Sequence, residues 1–217
     1  QRAEPESLTI CGQESVIAEL LPPGLVAWHA RFPQVGTVFK AAGGDALPGL
    51  LQQGEADVVI AFDVVESDGI HVMTSQKLAV GAIVAPRHPL AQCESLSLGD
   101  CVDYPLILPD ASWPLRALLD RELAKLVQPP RVMTTSNSEE FLRRMIDEQL
   151  GVGFQTVVGI ERSLRRGDLV HVPITDPRPL RQSIGLCVAK QSPNSEALSA
   201  FMDLFREHLE QYCQDWR

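Results

Sequence analysis

The chain has 217 residues, of which 45% are hydrophobic and 22% are charged, so it can bury one sizeable core or two smaller ones. Acidic residues outnumber basic residues by 28 to 19, and the formal net charge of −9 disfavours direct binding to a phosphate backbone. No run of 18 apolar residues is present, which is the length that a membrane-spanning helix requires.

Five cysteines are scattered singly along the chain: Cys11, Cys93, Cys101, Cys187 and Cys213. Their mostly apolar neighbours favour buried thiols in a reducing cytoplasm over a disulfide framework. A redox pair formed by Cys93 and Cys101 is the less favoured alternative, because no nearby basic residue would lower a thiol pKa. The sequence begins at Gln1 without a charged and apolar leader, so we expect either a trimmed fragment or a matured export product.

The first half of the chain alternates strands with helices after residues 1–7, whose polar composition is typical of the end of a linker. The predicted elements are strands Leu8–Cys11, Val35–Ala41 and Val58–Phe62, a helix starting at Ser15, and a helix over Ala46–Gln53. We expect Ser15 to cap the first helix and Pro22-Pro23 to kink or restart it. Val58–Phe62 is apolar throughout, which indicates a strand buried on both faces in a parallel sheet.

The second half continues the alternation and ends in an amphipathic helix. The predicted strands are Lys77–Ala85, Pro105–Leu108, Arg131–Thr134, Gly153–Val157, Leu169–Pro173 and Ile184–Ala189, and the predicted helices are Trp113–Val127, Ser136–Gln149 and Glu196–Tyr212. Gly151 is expected at the C′ position that follows the second of these helices. The whole pattern predicts an α/β protein with doubly wound sheets, which bind ligands at the carboxyl ends of their strands.

A set of short motifs, in this order and spacing, resembles the effector-binding domain of LysR-type transcriptional regulators. The motifs are Leu8-Thr9-Ile10 with Leu21-Pro22 and Phe32-Pro33, Leu51-x-x-Gly54-Glu55-Ala56-Asp57, His88-Pro89-Leu90-Ala91, Gly151-Val152-Gly153, and the run Glu161–Leu169. The resemblance covers about Ser7 to Leu209. The chain departs from the family at Cys11, where glycine is common, and at Gly44, where serine or threonine is common.

The resemblance implies two Rossmann-like subdomains joined by two crossover strands, as in type II periplasmic binding proteins. Residues 1–7 would end a linker, residues 8–80 and 186–217 would form subdomain I, and residues 81–185 would form subdomain II. A small metabolite would bind in the cleft between them. The resemblance also implies a cytoplasmic homodimer or homotetramer that contacts DNA only through a winged helix-turn-helix absent from this sequence, without a membrane, metal or cofactor.

The resemblance also implies where copies of the chain would meet. The apolar face of the first helix (Leu25, Trp28 and Phe32) and the helix Phe141–Gln149 are the implied dimer surfaces. The alternative is that these side chains belong to the core.

The candidate effector site consists of small polar residues at predicted helix starts. Backbone N–H groups there lack intrahelical partners and bear partial positive charge, which favours an anionic effector. The expected binding residues are Gln13, Ser15, Gly44, Asp45, Ser112, Trp113, Ser136, Gln155 and Thr156. By resemblance, Ser15, Gly44 and the loop Pro109–Pro114 would make the first contacts.

Each of these residues also has a structural interpretation. Ser15 is equally well explained as an N-cap, and capping alone is favoured for Ser136, Asn137 and Ser138. Asp45 would repel an anion, so we expect it to cap a helix; as a site residue it would indicate an amine or hydroxyl on the ligand. Trp113 is equally consistent with packing against its neighbours. Gln155 and Thr156 are the less favoured candidates for contact with the effector. Asp63 is expected to be a solvated turn residue.

Catalytic and metal-binding motifs are absent from the sequence, including the nucleophile elbow, the P-loop and the dinucleotide fingerprint. The five histidines lack metal-ligand spacing. An extracytoplasmic solute-binding protein is the alternative with the same two-lobed architecture, and an enzyme of the same α/β class is the second. The motifs Gly54–Asp57 and His88–Ala91 favour the regulator.

Overall fold

The computed structural model describes residues 7–192 and 195–216, in which strands and helices alternate. The strands are β1 (Ser7–Gly12), β2 (Gly36–Ala41), β3 (Val58–Phe62), β4 (Ile70–Ala79), β5 (Gly81–Val84), β6 (Leu96–Ser97), β7 (Leu106–Pro109), β8 (Val132–Ser136), β9 (Val152–Gln155), β10 (Val170–Asp176) and β11 (Arg181–Ala189). The α-helices are α1 (Leu21–Arg31), α2 (Leu47–Gln52), α3 (Leu98–Cys101), α4 (Pro114–Leu123), α5 (Glu139–Asp147), α6 (Glu161–Arg166) and α7 (Glu196–Asp215). The linker expected over residues 1–7 lies, except for Ser7, outside the described residues.

The chain divides into two compact units, which explains why it contains two sheets. The described residues of Gln1–Lys77 and Ser183–Arg217 form unit 1, and Leu78–Gln182 forms unit 2. Unit 1 contains a five-stranded sheet in the order β2-β1-β3-β11-β4. Within it β1 is parallel to β2 and β3, whereas β11 is antiparallel to β3. The doubly wound α/β architecture expected from the sequence is therefore confirmed.

The first helix of unit 1 does not restart at its proline pair, since the backbone is helical without a break from Glu14 to Arg31; only its winding changes there. A π-helical turn over Val16–Leu20 leads directly into α1, and Pro22-Pro23, which lack N–H groups, occupy the first α-helical turn after it. The indole of Trp28 is fully buried and lies edge-on to Phe201 of α7, at 5.9 Å between ring centroids. Trp28 is thus a core residue, and the dimer-surface interpretation of its side chain is wrong.

Unit 2 contains a six-stranded sheet in the order β6-β10-β5-β9-β7-β8. β7 is parallel to both β8 and β9, whereas β5 is antiparallel to β9 and β10. The strand predicted over Lys77–Ala85 is wrong, since the chain forms β4 and β5 and Val80 separates them. The N–H of Val80 donates to the Leu180 carbonyl, and its own carbonyl accepts from Ile174, so this residue bonds outside both strands.

Gly151 does not occupy the C′ position that the sequence indicated. The helix α5 ends earlier, with Glu148 as C-cap, and Gln149 adopts the left-handed conformation at φ 61°. Gly151 is required for a different reason. A Cβ built on it would lie 2.2 Å from the Pro105 carbonyl oxygen, so only glycine lets the two backbone segments approach this closely.

Candidate functional site

In unit 1, the parallel strands β1, β2 and β3 end at one edge of the sheet. The register pairs Gly12 with both Ala41 and Ile60, and the N–H of Ala42 donates to the Gly12 carbonyl at 3.0 Å. The residues that follow these strands therefore leave the sheet at a common edge, which we call edge 1. Edge 1 includes four of the predicted site residues: Gln13, Ser15, Gly44 and Asp45.

The residue after β1 has a buried polar atom that the fold does not use. Gln13 is 8% exposed, and its backbone carbonyl accepts the hydrogen bond from Ile17 that opens the helix. Its side-chain Oε1 is buried, and within the described part of the chain no donor reaches it. A buried carbonyl oxygen without a donor costs about 1–3 kcal/mol, so a partner from outside the chain would restore stability.

Ser15 is buried at edge 1 but does not cap the first helix. Its backbone is already helical, at φ −55° and ψ −43°, and its side chain makes no capping hydrogen bond. The helix extends beyond Ser15 in the N-terminal direction, to Glu14. The capping interpretation of Ser15 is therefore wrong, and its hydroxyl is not committed to the helix end.

Asp45 does not cap the second helix either. The N-cap of α2 is Ala46, which has no side-chain capping bond, and the Gly43 carbonyl accepts from the N–H of Ala46 at 3.1 Å and of Leu47 at 3.3 Å. Gly44 is buried in this turn, whereas Asp45 is exposed. The carboxylate of Asp45 thus adds negative charge at edge 1.

Asp63, after β3, is exposed in a turn and also bonds to the backbone of β11. It adopts φ 54°, its N–H donates to the Ser183 carbonyl at 2.7 Å, and its Oδ1 accepts from the Ser183 N–H at 2.8 Å. This reciprocal pair joins the end of β3 to β11. The expectation of a solvated turn residue is confirmed, and the bonds to Ser183 add a structural role to it.

In unit 2, the parallel strands β7, β8 and β9 also end together, at what we call edge 2. Pro109 pairs with Ser136, and the N–H of Asp110 donates to the Ser136 carbonyl at 3.0 Å. Edge 2 includes the other predicted residues: Ser112, Trp113, Ser136, Gln155 and Thr156. Trp113 and Gln155 further line one small cavity of unit 2, together with Pro109, Phe154 and Arg143.

The serines of edge 2 are committed to local turns. The Ser112 hydroxyl and N–H both donate to Asp110 Oδ1, at 2.6 Å and 2.9 Å, and these hydrogen bonds hold the pKa of Asp110 below its usual value. The Ser136 hydroxyl accepts from the Ser138 N–H at 3.0 Å. The Ser138 hydroxyl in turn accepts from the Phe141 N–H at 3.3 Å and caps α5, which confirms the structural interpretation of that serine.

Gln155 is fixed at the end of β9 by residues that the sequence did not single out. Its Nε2 donates to Glu139 Oε1 at 2.7 Å and to the Val158 carbonyl at 2.8 Å, while its own carbonyl lies 3.2 Å from His171 Nε2. Burial lowers the pKa of His171, so its ring is held in the neutral form. No sequence motif identifies either residue. Glu139 is an ordinary acidic residue in the first turn of a helix, and His171 is an ordinary residue within a strand.

Thr156 is a further predicted site residue with a buried polar atom that the fold does not use. It is 1% exposed, and its Oγ1 has no hydrogen-bond partner among the described residues. Gln13 and Thr156 therefore correspond to one another: each follows a parallel strand, and each contains a polar atom that the chain itself leaves unsatisfied.

The described residues contain no group of three or more histidine, cysteine, aspartate or glutamate side chains placed to hold a metal ion. All five cysteines are free thiols; four of them are buried, as the sequence indicated, and Cys93 alone among the five is exposed. Burial raises the pKa of Cys101 and of Cys187 to about 12, so both remain protonated and unreactive at neutral pH. Over the described ranges, no helix has the length and apolar character needed to traverse a bilayer.

The fold of two α/β units is found in solved effector-binding domains. The effector-binding domain of QuiR in complex with shikimate superposes with a TM-score of 0.79 at 19% identity, covering 96% of this chain and 99% of that one. This likeness establishes the type II periplasmic-binding-like fold.

Sequence comparison identifies the family. A profile described as LysR substrate binding domain matches residues 1–210, and the chain therefore belongs to this family of effector-binding domains of LysR-type transcriptional regulators. The HTH-type transcriptional regulator MetR of Escherichia coli K12 is 32% identical over 88 residues, which are 41% of this chain and 28% of MetR. The uncharacterized HTH-type regulator YwqM of Bacillus subtilis is 24% identical over 204 residues, covering 93% of this chain and 68% of YwqM. The match thus spans less than a third of MetR. These relatives are named as regulators, which does not favour a transporter-linked solute-binding protein.

Proposed function

We propose that this domain senses a small anionic metabolite that binds at the carboxyl ends of its parallel strands. The observation that carries the proposal is that two of the buried polar atoms without a partner among the described residues, Gln13 Oε1 and Thr156 Oγ1, belong to residues that follow parallel strands, one at each edge. Native proteins rarely leave such atoms without a partner, and ligand sites are a recognised place for them. The complex of QuiR with shikimate supports a small-molecule effector.

The ligand acts by favouring one arrangement of the regulator over another. A ligand shifts such an equilibrium only by its difference in affinity for the two arrangements. DNA contact belongs to another part of the regulator, because this chain has a net charge of −9 and its relatives are named as HTH-type proteins. Free thiols throughout the described chain support a reducing, cytoplasmic location.

Exposed apolar side chains support assembly into a homodimer, or into a homotetramer built from such dimers. In unit 1, Val26 of α1 and Val38 of the edge strand β2 are 74% and 41% exposed. In unit 2, Phe141 of α5 and Met133 of the edge strand β8 are 43% and 44% exposed. Each unit thus has an edge strand and a nearby helix with apolar groups available to a second copy.

A metabolite screen by thermal shift, followed by calorimetry with each compound that stabilises the domain, tests the proposed function. We expect a small carboxylate to raise the melting temperature, and Thr156→Val to weaken its binding without unfolding the domain. Thr37→Val on β2, away from both edges, is the matched control. Chemical conversion of the bound compound during incubation would instead favour the enzyme, and equal affinity of the wild type and Thr156→Val would remove edge 2 from the site.

A further inference from the structure

We infer that edge 1 selects a carboxylate with a hydrogen-bond donor on the adjacent carbon, that is, an α-amino or α-hydroxy acid, and that Gln13 Oε1 receives this donor. The inference rests on the proposed function and specifies its ligand class. It depends on the kinds of polar group that edge 1 presents, since these must be matched by opposite groups on the ligand.

Edge 1 presents backbone donors and side-chain acceptors next to each other. The continuous helix from Glu14 to Arg31 has 18 residues, and the N–H groups of its first turn have no acceptor within the helix. Its first backbone hydrogen bond runs from Ile17 to the carbonyl of Gln13. These N–H groups and the positive end of the helix dipole suit a carboxylate.

The acceptors at edge 1 require a hydrogen-bond donor on the ligand in addition to its carboxylate. Gln13 Oε1 is a buried acceptor without a donor, and it belongs to the residue that opens the helix. Asp45 adds a carboxylate that the capping of α2 does not use. A plain carboxylic acid in its ionised form has no donor for either group, so Gln13 would remain unsatisfied and Asp45 would repel the ligand.

The position of the donor on the ligand follows from the chain. Gln13 immediately precedes the helical residues whose N–H groups would bind the carboxylate, so the donor and the carboxylate of the ligand should also be close neighbours. A hydroxyl or ammonium group on the α-carbon meets this requirement. An ammonium group would gain further from the negative charge of Asp45.

Ligands that differ only in the α-substituent provide the test. We would measure binding of L-leucine, L-2-hydroxy-4-methylpentanoate and 4-methylpentanoate, and of L-phenylalanine, L-3-phenyllactate and 3-phenylpropanoate, by NMR titration of the domain. We expect at least one α-substituted member to bind about tenfold more tightly than its unsubstituted counterpart, the effect of one hydrogen bond. Equal binding of all three members of a set, or no binding by any of the six at 20 mM, would overturn the inference.

Two substitutions assign the discrimination to Gln13. Gln13→Leu should abolish the tenfold difference, whereas the nearly isosteric Gln13→Glu should keep or strengthen binding of the amino acids and weaken binding of the hydroxy acids and the unsubstituted acids. Asp45→Asn should lower the preference for ammonium over hydroxyl by a smaller factor, because Asp45 is exposed. Asp203→Asn, an exposed carboxylate on α7, is the matched control.

The outcomes separate this inference from the proposed function. Unchanged discrimination in Gln13→Leu and Gln13→Glu would show that water satisfies Gln13 and would overturn the inference. If the metabolite screen finds an effector without an α-substituent, the inference fails while the proposed function stands. If the screen finds no ligand of any class, the proposed function fails as well.

Discussion

Hydrogen bonding separates the residues expected to bind the effector into two groups. The Ser112 hydroxyl, the Ser136 hydroxyl and the Gln155 amide have partners within their own unit, at 2.6 Å to 3.0 Å. Gln13 and Thr156 each retain an unsatisfied buried atom. The first group shapes the loops, and the second group is the one that we propose for ligand binding, so substitutions in the two groups should have different consequences.

Ser15→Ala should weaken effector binding by about 1–2 kcal/mol, the contribution of one hydrogen bond to a charged group, without a comparable loss of folding stability. The reason is that Ser15 makes no capping bond. Calorimetry with the ligand from the screen measures the affinity, and urea unfolding measures the stability.

The control is Ser195→Ala, because the Ser195 hydroxyl accepts from the Leu198 N–H at 3.1 Å and caps α7. This variant should lose about 1 kcal/mol of folding stability and keep its affinity for the effector. Unchanged affinity in a folded Ser15→Ala domain would make Ser15 a purely structural residue.

Gly151→Ala should lower the free energy of unfolding by about 3 kcal/mol, because its Cβ would meet the backbone carbonyl of Pro105 at 2.2 Å. Gly54→Ala is the control. Gly54 has φ 72° with no atom within 4 Å of a built Cβ, so that change should cost only about 1 kcal/mol of left-handed strain. Urea unfolding of both variants measures the difference, and equal losses would contradict the close approach at Gly151.

At the scale of elements, the sequence predicted best where several signals agreed. β3 was predicted with its observed bounds, since an unbroken apolar run has only buried environments to occupy, whereas the proline pair changes the winding of the first helix without interrupting it. β4 was predicted only in part. It is an edge strand whose residues alternate between buried and exposed, and the polar ones resemble a loop in sequence.

The polar details of the site were less predictable, because they depend on side-chain geometry. Asp45 and Ser15 both match the residue preferences of an N-cap, yet neither supplies a capping bond. Conversely, the contact between Gln155 and Glu139 joins residues 16 positions apart, and only the fold brings them together. Composition and spacing place residues at an edge, but they do not determine which atoms are already bonded.

The capping box of α3 should make stability depend on pH. Ser97 Oγ accepts from the Asp100 N–H, and Asp100 Oδ2 accepts from the Ser97 N–H at 2.7 Å, which lowers the pKa of Asp100 from its usual 3.8. The unfolded chain therefore takes up this proton first as the pH falls. The stabilisation is complete above pH 3.8 and is lost as the pH falls through the pKa of the folded state.

Asp100→Asn should consequently be less stable than the wild type at pH 7, by about 1 kcal/mol, and this difference should shrink below pH 4. Urea unfolding at pH 7, 5, 4 and 3 measures it. Asp68→Asn, on an exposed turn, serves as the control for the change in net charge. A difference that stays constant over this pH range would show that the carboxylate of Asp100 does not stabilise α3.

At the scale of the whole molecule, sequence periodicity alone did not separate the apolar residues that pack inside the chain from those that face outward. Trp28 and Val26 both lie on α1, yet Trp28 is fully buried against α7 whereas Val26 is 74% exposed. The difference follows from the second helix that covers one face of α1. The surface proposed for dimers is therefore carried by Val26, not by Trp28.

Val26→Asp and Phe141→Asp should each shift the domain from dimer toward monomer, because a carboxylate buried in an apolar interface without a partner is strongly unfavourable. We expect each change to raise the dimer dissociation constant about 30-fold or more, corresponding to about 2 kcal/mol. Val65→Asp is the matched control, since Val65 is 76% exposed in the same unit as Val26 but lies outside α1 and β2. Sedimentation velocity over a range of concentrations measures the equilibrium. A monomeric wild type, or an equal shift in all three variants, would contradict the assignment of these faces to the dimer.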